Sequence, residues 1–366
     1  MLDDDDAQGR EEQVGRVKVV TAVESDEQQS ADEQPDETAE DVSEYLKTLA
    51  PGLSLSLTDR MATRCLLDEE HLDLTHSRLS KLPFDILSTF SSLQTLCLRQ
   101  NLLSDATFAG PDLGRELPKT LMELDLYDNR LSHVPAMISK QTGLTKLDLS
   151  FNKIKTIDPE IIGALCNLKE LYLVANKVSI IQGLDTLVNL QCLELGANRI
   201  REIHGLDALQ NLESLWLGKN KITSLQNLPL PNLKILSIQS NRITSLDPDA
   251  LAGMPNLEEL YISHNGLLKI EGLDRVPRLR IVDVGNNRLE TLEGLQGNVE
   301  NLEEFWASYN QFSSFQDVEN QLSEKKGLTT VYFEGCPLQT ENRPTYRNKL
   351  KLALPSLKQI DATYCQ

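Results

Sequence analysis

An eleven-residue phrase that recurs along the chain constrains the fold more than any other feature. Its clearest copy, LQCLELGANRI from Leu190 to Ile200, has leucine at places one, four and six, asparagine at place nine and an aliphatic residue at place eleven. Ten units keep the ninth-place asparagine, and two more carry Ser77 and Cys336 there. The ten asparagines are Asn101, Asn129, Asn152, Asn176, Asn198, Asn220, Asn241, Asn265, Asn287 and Asn310. So many matches in one register are not a chance pattern.

The spacing within the phrase predicts a short strand followed by a turn. Places four to six form the strand, so side chains four and six point one way and side chain five the other. The ninth-place asparagine is expected to hydrogen-bond backbone groups where the chain turns away. One unit cannot bury its own leucines, so successive copies must stack into a quasi-one-dimensional solenoid.

This pattern resembles the leucine-rich repeat, which gives the fold class. We predict an α/β leucine-rich-repeat solenoid over residues 71–338, with about twelve repeats in a curved right-handed horseshoe. A parallel sheet lines its concave side. Successive ninth places lie 21 to 28 residues apart, which leaves room on the convex side for short 3₁₀ or single-turn helices but rarely for long ones.

The flanks of the repeats differ from them in composition. Residues 1–50 hold sixteen Asp and Glu against four Lys and Arg. We expect 1–42 to be an acidic disordered tail and 43–70 to be an N-terminal flank or cap. Residues 339–366 are predicted to be a C-terminal cap with a basic amphipathic helix and a strand, covering the end of the core. With both ends capped, we expect a monomer.

Composition and motifs exclude several classes of function. The net charge of −19 argues against nucleic acid or an anionic membrane as the main partner. No stretch is long enough to span a bilayer, and the N-terminus lacks a secretory-signal pattern. Six scattered cysteines indicate a reducing compartment. No metal-ligand, phosphate-loop or nucleophile motif is present, so we predict no metal, no cofactor and no enzymatic activity. Acids on an open, water-filled sheet are not expected to have raised pKa values.

The fifth-place residues, here called the fifth-place column, face outwards on the concave side, where the core does not dictate their identity. The column consists of Asp73, Cys97, Asp125, Asp148, Tyr172, Glu194, Trp216, Ser237, Tyr261, Asp283, Trp306 and Tyr332. Five members are acids, five are aromatic and none is basic. Aromatic anchors indicate a protein interface, and the acids, with Glu303 and Glu304 beside Trp306, predict a partner bearing Lys or Arg. The alternative is that neighbouring rings simply stack on one another.

The repeats also resemble one particular family. The ordered units LDLSFN, LYLVANKV, LELGANRI, LWLGKNKI, LSIQSNRI, LYISHNGL and FWASYN, with the LPSLKQIDAT end, are similar to the leucine-rich-repeat regulatory subunits of protein phosphatase 1, the regulatory subunit 7 family. The resemblance covers about residues 70–363 and follows the order of the units. It implies a non-catalytic regulator that binds the phosphatase catalytic subunit through its concave face. It also implies nuclear and cytoplasmic presence, mitotic phosphatase control and a ternary complex with an inhibitor subunit.

The resemblance further implies which residues contact the partner. The family's contact positions are fifth-place residues together with one acid two residues before the late tryptophan. Carried onto this chain, they are Asp148, Tyr172, Glu194, Trp216, Asp283, Glu304, Trp306 and Tyr332. Tyr172 and Trp216 each stand where the family has phenylalanine, so an aromatic face is kept but its size changes. Tyr261 lies in the same column and is included.

Two other classes of function remain open from the sequence. The chain could be a leucine-rich-repeat adaptor of another intracellular complex, for instance a splicing, cytoskeletal or signalling complex. An RNA-associated adaptor would be expected to have a basic patch, which the fifth-place column lacks. A hydrolase would require converging titratable groups in a closed pocket.

Overall fold

The computed structural model describes residues 70–88, 90–110, 116–226, 228–295 and 299–365. The predicted acidic tail at 1–42, and all of the predicted flank except its last residue, lie outside these residues. The limits of the four predicted segments therefore stay predictions.

The described residues contain one sheet of fourteen strands whose order in space is their order in the chain. The strands are β1 His71–Asp73, β2 Thr95–Cys97, β3 Glu123–Asp125, β4 Lys146–Asp148, β5 Glu170–Tyr172, β6 Cys192–Glu194, β7 Ser214–Trp216, β8 Ile235–Ser237, β9 Glu259–Tyr261, β10 Ile281–Asp283, β11 Glu304–Trp306, β12 Thr330–Tyr332, β13 Gln359–Ile360 and β14 Thr363–Tyr364. Strands β1 to β13 are parallel, and β14 turns back antiparallel to β13. The predicted parallel-sheet solenoid is confirmed.

The strands occupy places three to five of each repeat rather than the predicted places four to six. In the phrase at Leu190–Ile200, the sixth-place N–H of Leu195 still donates to the Trp216 carbonyl at 2.8 Å. The Leu195 carbonyl, however, accepts from the side chains of Asn198 and Asn220 at 3.1 and 2.9 Å. The asparagine side chains therefore end the backbone ladder one residue earlier than expected.

The ninth-place asparagines form a ladder along the solenoid, as predicted, with eight of the ten buried and Asn241 and Asn265 partly buried. Asn198 is 7% exposed, and its Oδ1 accepts the N–H of Val178 in the preceding repeat at 2.9 Å. Its Nδ2 donates to the carbonyls of Leu173 at 2.8 Å and Leu195 at 3.1 Å. Each asparagine thus ties two repeats together at the turn.

The eighth-place residue turns the chain away from the sheet by adopting a left-handed conformation. Ala197, for example, has φ 54°. Eleven eighth-place residues share positive φ: His76, Gln100, Asp128, Phe151, Ala175, Ala197, Lys219, Ser240, His264, Asn286 and Tyr309. The twelfth eighth-place residue, Gly335, has φ 74°, so the repeated turn gives eleven L-residues a conformation that they rarely adopt.

Short helical segments cross the convex side, as the spacing predicts. They are α1 Phe84–Leu87, α2 Asp105–Phe108, a 3₁₀ helix at Ala136–Lys140, α3 Pro159–Ile162, a second 3₁₀ helix at Leu273–Arg275 and α4 Phe315–Leu322. The first, fourth and sixth places from Leu93 to Phe333 are almost all buried, and they form one continuous apolar core. No helix in the described part of the chain combines the length and apolarity needed to cross a membrane.

The C-terminal segment closes the end of this core. It contains α5 Pro337–Thr340 and α6 Tyr346–Ala353, followed by β13 and β14. Leu350 and Ile360 are fully buried. Asp361 accepts the Phe333 N–H at 2.9 Å and the Tyr346 hydroxyl at 2.9 Å, which ties the helix and the last strands to the preceding repeat.

Candidate functional site

The predicted interface residues lie together on the face of the sheet opposite the core, which we call the open face. Consecutive fifth-place residues are direct partners in the sheet, for example Asp148 with Tyr172, Tyr172 with Glu194 and Glu194 with Trp216. Most members are half-buried by their neighbours. The pairing therefore brings the whole fifth-place column into one row.

A second column on the same face was missed by the sequence reasoning, apart from Glu304. Because the strands run from place three to place five, third-place side chains share the open face with the fifth-place ones. This third-place column consists of His71, Thr95, Glu123, Lys146, Glu170, Cys192, Ser214, Ile235, Glu259, Ile281, Glu304 and Thr330. Period-two alternation counted backwards from the fifth place would have found it.

Four aromatic side chains of the fifth-place column form a continuous cluster. Trp216 and Tyr261 stack with ring centroids 6.3 Å apart, Tyr261 and Trp306 are 6.0 Å apart, and Trp306 meets Tyr332 edge-on at 6.0 Å. The rings reach across the intervening residues Ser237 and Asp283. Tyr261 is 6% exposed, whereas the other three rings remain half-exposed. The rings therefore stack on one another and still present an aromatic surface.

Third-place glutamates hydrogen-bond aromatic side chains two residues later in the same strand. The Tyr172 hydroxyl donates to Glu170 at 2.9 Å, and the Tyr261 hydroxyl donates to Glu259 at 2.8 Å. The indole N–H of Trp306 donates to Glu304 at 2.9 Å. These polar groups therefore have internal partners, which fixes how the rings lie on the open face.

The fifth-place aspartates have a structural task that the sequence reasoning did not assign to them. The Oδ1 of Asp148 accepts the N–H of Ser150 at 2.8 Å, and that of Asp283 accepts the N–H of Gly285 at 3.0 Å. Asp73 and Asp125 make the same bond to the seventh-place N–H. An aspartate here satisfies the backbone as the strand ends, whether or not a partner is present.

Three carboxylates of the open face, those of Asp125, Glu194 and Asp283, have raised pKa values, contrary to the expectation for an open sheet. Burial and the nearby Asp148 charge raise the pKa of Glu194. Burial also raises the pKa of Asp283, although hydrogen bonds from Ser263 and Gly285 oppose the shift. The expectation was wrong because neighbouring side chains displace water from these carboxylates even without a closed pocket.

Glu303 does not add a free charge to the open face, so that part of the prediction is wrong. It forms a two-pronged ion pair with Arg280, at 3.0 and 2.8 Å, which lowers the pKa of Glu303. Glu303 stands at the second place, where Lys234 and Glu213 form a similar pair at 2.8 Å. The open face itself carries one lysine, Lys146, whose ammonium lies 3.2 Å from Glu170.

A shallow cavity of about 340 Å³ adjoins the aromatic cluster. Its walls include the rings of Trp306, Tyr332 and Tyr309 and the carboxylate of Asp283. Tyr309 is 54% exposed at the rim. None of the described residues that line the cavity is Lys or Arg. Aromatic faces beside an unneutralised carboxylate suit a cationic side chain.

Nothing in the described ranges points to metal chemistry. There, no group of three or more His, Cys, Asp or Glu side chains is arranged to hold a metal ion.

Comparisons with family models agree with the repeat and the fold. The model described as "Leucine rich repeat" matches residues 119–178, 142–200 and 227–267, and that described as "Leucine Rich repeats (2 copies)" matches 188–230 and 255–297. Residues 119–297 therefore match models of the leucine-rich repeat. An internalin (inlF) from Listeria monocytogenes has the same fold, with a TM-score of 0.62 at 19% identity over 89% of this chain and 95% of that one.

Comparison with known proteins gives a more specific resemblance than the repeat alone. The chain is 57% identical over 75 residues to "Protein phosphatase 1 regulatory subunit SDS22" of Schizosaccharomyces pombe, which is 20% of this chain and 21% of that protein. It is 39% identical over 198 residues to "Protein phosphatase 1 regulatory inhibitor subunit PPP1R7 homolog" of Arabidopsis thaliana, covering 53% of this chain and 47% of the relative. The match thus spans from a fifth to about half of these relatives. Over those segments, the resemblance to phosphatase regulatory subunits is confirmed.

Proposed function

We propose that this protein is a non-catalytic regulatory subunit that binds the catalytic subunit of protein phosphatase 1 through the open face of its sheet. The observation that carries the proposal is the continuous aromatic cluster from Trp216 to Tyr332, flanked by carboxylates with raised pKa values. Relatives named as regulatory subunits of this phosphatase identify the class of partner.

The acidic residues of the open face predict a partner surface that is positively charged. The Asp148 charge, across Tyr172, raises the pKa of Glu194 and so the cost of ionising it, and among the described residues no Lys or Arg forms an ion pair with Glu194. A Lys or Arg from a partner would lower that cost, so part of the binding free energy would come from relieving it. The cavity between Trp306, Tyr309 and Asp283 is a second place where a basic side chain fits.

Several features of the proposal come from the family resemblance. These are nuclear and cytoplasmic presence and a ternary complex with a phosphatase inhibitor subunit. The monomeric state of the isolated chain is proposed on a different ground, the capping of the repeats. The competing proposal is an adaptor of another intracellular complex that uses the same open face.

The deciding experiment is a calorimetric titration of the purified chain against the phosphatase catalytic subunit. We expect tight binding by the wild type and loss of binding by the Glu194→Ala/Trp306→Ala double variant. Glu202→Ala, which removes an exposed acid away from the open face, is the matched control and should bind normally. Circular dichroism checks that every variant is folded.

Each outcome separates the alternatives. A folded wild type that does not bind would refute the phosphatase proposal and leave the adaptor. Binding that survives the double variant would place the interface elsewhere on the chain. Asp283→Asn tests the contribution of charge alone, because asparagine keeps an oxygen to accept the Gly285 N–H and removes only the negative charge.

A further inference from the structure

Three strands of the sheet share the pattern of a third-place glutamate followed by a fifth-place aromatic residue. The strands read ELY in β5, ELY in β9 and EFW in β11. In each, the tyrosine hydroxyl or the tryptophan indole N–H donates a hydrogen bond to the glutamate carboxylate at 2.8 to 2.9 Å. Trp216, the remaining tryptophan of the column, has Ser214 at the corresponding place. The open face thus contains three such carboxylate–ring pairs and one tryptophan without a third-place carboxylate.

The pair in β9 occupies a special position in the aromatic cluster. The Tyr261 ring lies between the two tryptophans, 6.3 Å from Trp216 and 6.0 Å from Trp306. At 6% exposure, Tyr261 has little surface left to offer a partner. Its importance for the surface must therefore lie in how it orients the tryptophans on either side.

The orientation of the Tyr261 ring depends on Glu259. The rings of Trp216 and Trp306 pack against the Tyr261 ring from either side, but they offer its hydroxyl no hydrogen-bond acceptor. The hydroxyl is held instead by a hydrogen bond to a carboxylate, which is a stronger class of hydrogen bond than one between neutral groups. Burial and this bond raise the pKa of Tyr261 well above its usual range, so the hydroxyl keeps its proton for the bond.

We infer that Glu259 is a positioning residue. Its hydrogen bond fixes the orientation of the Tyr261 ring, and this ring in turn holds both tryptophans in the geometry that the partner binds. Glu170 and Glu304 fix the rings of Tyr172 and Trp306 in the same way. A surface whose large side chains are already ordered loses less conformational entropy on binding. The consequence for binding rests on the proposed function, whereas the locked geometry belongs to the isolated chain.

The first test uses the isolated protein and needs no partner. The tryptophan bands of the near-ultraviolet circular dichroism spectrum report the packing of Trp216 and Trp306, the two tryptophans of the chain, and they are the signal compared because loss of a tyrosine chromophore changes the rest of the spectrum. Glu259→Ala and Tyr261→Phe should both weaken this signal and make tryptophan fluorescence easier to quench with acrylamide. Glu259→Gln, which retains an oxygen to accept the hydroxyl proton, should restore both readouts.

A matched control comes from β3, where Glu123 is also a third-place glutamate but has Asp125 rather than a ring at the fifth place. Glu123→Ala should leave the near-ultraviolet spectrum unchanged. Spectra of Glu259→Ala and Tyr261→Phe that are identical to the wild type would overturn the positioning role. Far-ultraviolet spectra show whether each variant is folded. If Glu259→Ala does not fold, the milder Tyr261→Phe decides the question.

The second test measures affinity for the phosphatase catalytic subunit. We expect Glu259→Ala and Tyr261→Phe to bind about tenfold more weakly, and Glu259→Gln to stay within about threefold of the wild type. The Glu259→Ala/Tyr261→Phe double variant should bind no more weakly than either single variant, because both substitutions remove the same hydrogen bond. Equal losses for Glu259→Gln and Glu259→Ala would mean that the charge itself matters and would overturn the inference. A wild type that does not bind refutes the proposed function, while the spectra still decide whether Glu259 orders the rings.

Discussion

Replacing one asparagine of the buried ladder tests the structural reasoning most directly. Asn198→Ala removes a side chain that is 7% exposed and bonds to two successive repeats. The change leaves the fifth-place column and the apolar core intact. Any loss of stability therefore reports the backbone groups that the amide satisfies.

The magnitude follows from what each backbone group retains. The Val178 N–H loses its acceptor, the Asn198 Oδ1 at 2.9 Å. The carbonyls of Leu173 and Leu195 each keep a second donor, from the asparagine of the preceding or the following repeat. The Gly196 carbonyl also loses the Asn198 amide but keeps the Ala175 N–H. One orphaned buried N–H costs about 1–3 kcal/mol, and the three weakened carbonyls add less, so we expect a loss of about 2–4 kcal/mol in the free energy of unfolding.

Urea unfolding followed by circular dichroism measures this loss. The matched control is Asn189→Ala on the convex side, whose exposed amide makes one hydrogen bond, to the Cys166 carbonyl at 3.0 Å. Asn198→Asp should be worse than Asn198→Ala at neutral pH, because it sets a carboxylate oxygen against two carbonyls. A loss for Asn198→Ala no larger than that for Asn189→Ala would refute the reasoning.

Three further predictions concern the core and the open face. Leu195→Ala should lower the free energy of unfolding by about 2–5 kcal/mol, since Leu195 is fully buried; denaturant unfolding would show a negligible change if the sixth place were not core. Glu194→Gln should stabilise the isolated chain at pH 7. Because the pKa of Glu194 is raised in the folded state, its carboxylate destabilises the fold once it is ionised, so this stability is present in acid and lost as the pH rises through the folded-state pKa. In thermal melts, the gain in stability from Glu194→Gln should therefore vanish below about pH 4.5. A gain that persists in acid would point to another cause. Affinity for the phosphatase should fall with added salt, and a salt-independent Kd would contradict acid-driven recognition.

The solenoid could be predicted because every repeat carries the same residue pattern. Leucines at places one, four and six and asparagine at place nine all point to one register, and the structure pairs the strands in that register. The left-handed turn at the eighth place could not be predicted in the same way. Ala197, Lys219 and Phe151 share no chemistry, so the conformation comes from the repeated turn and not from local propensity.

The candidate site was only partly readable from the sequence. The fifth-place column was identified correctly as one row on one face, but its contacts were not. Whether Glu303 reaches a partner or Arg280 depends on which repeat neighbours it, and that pairing lies 23 residues away in the chain. The hydrogen bond from Tyr261 to Glu259 likewise depends on the strand starting at the third place, one residue before the predicted start.

The open face therefore contains two kinds of acid, and they should not be treated alike. Asp148 and Asp283 each satisfy a seventh-place N–H, so the fold itself gives a reason for aspartate at those positions. Glu194 makes no such bond in the described structure, and its neighbours only raise the cost of its charge. A side chain that the fold neither requires nor favours is best explained by something outside the fold. Of the acids in the column, Glu194 thus gives the strongest support to the proposal that a basic partner binds this face.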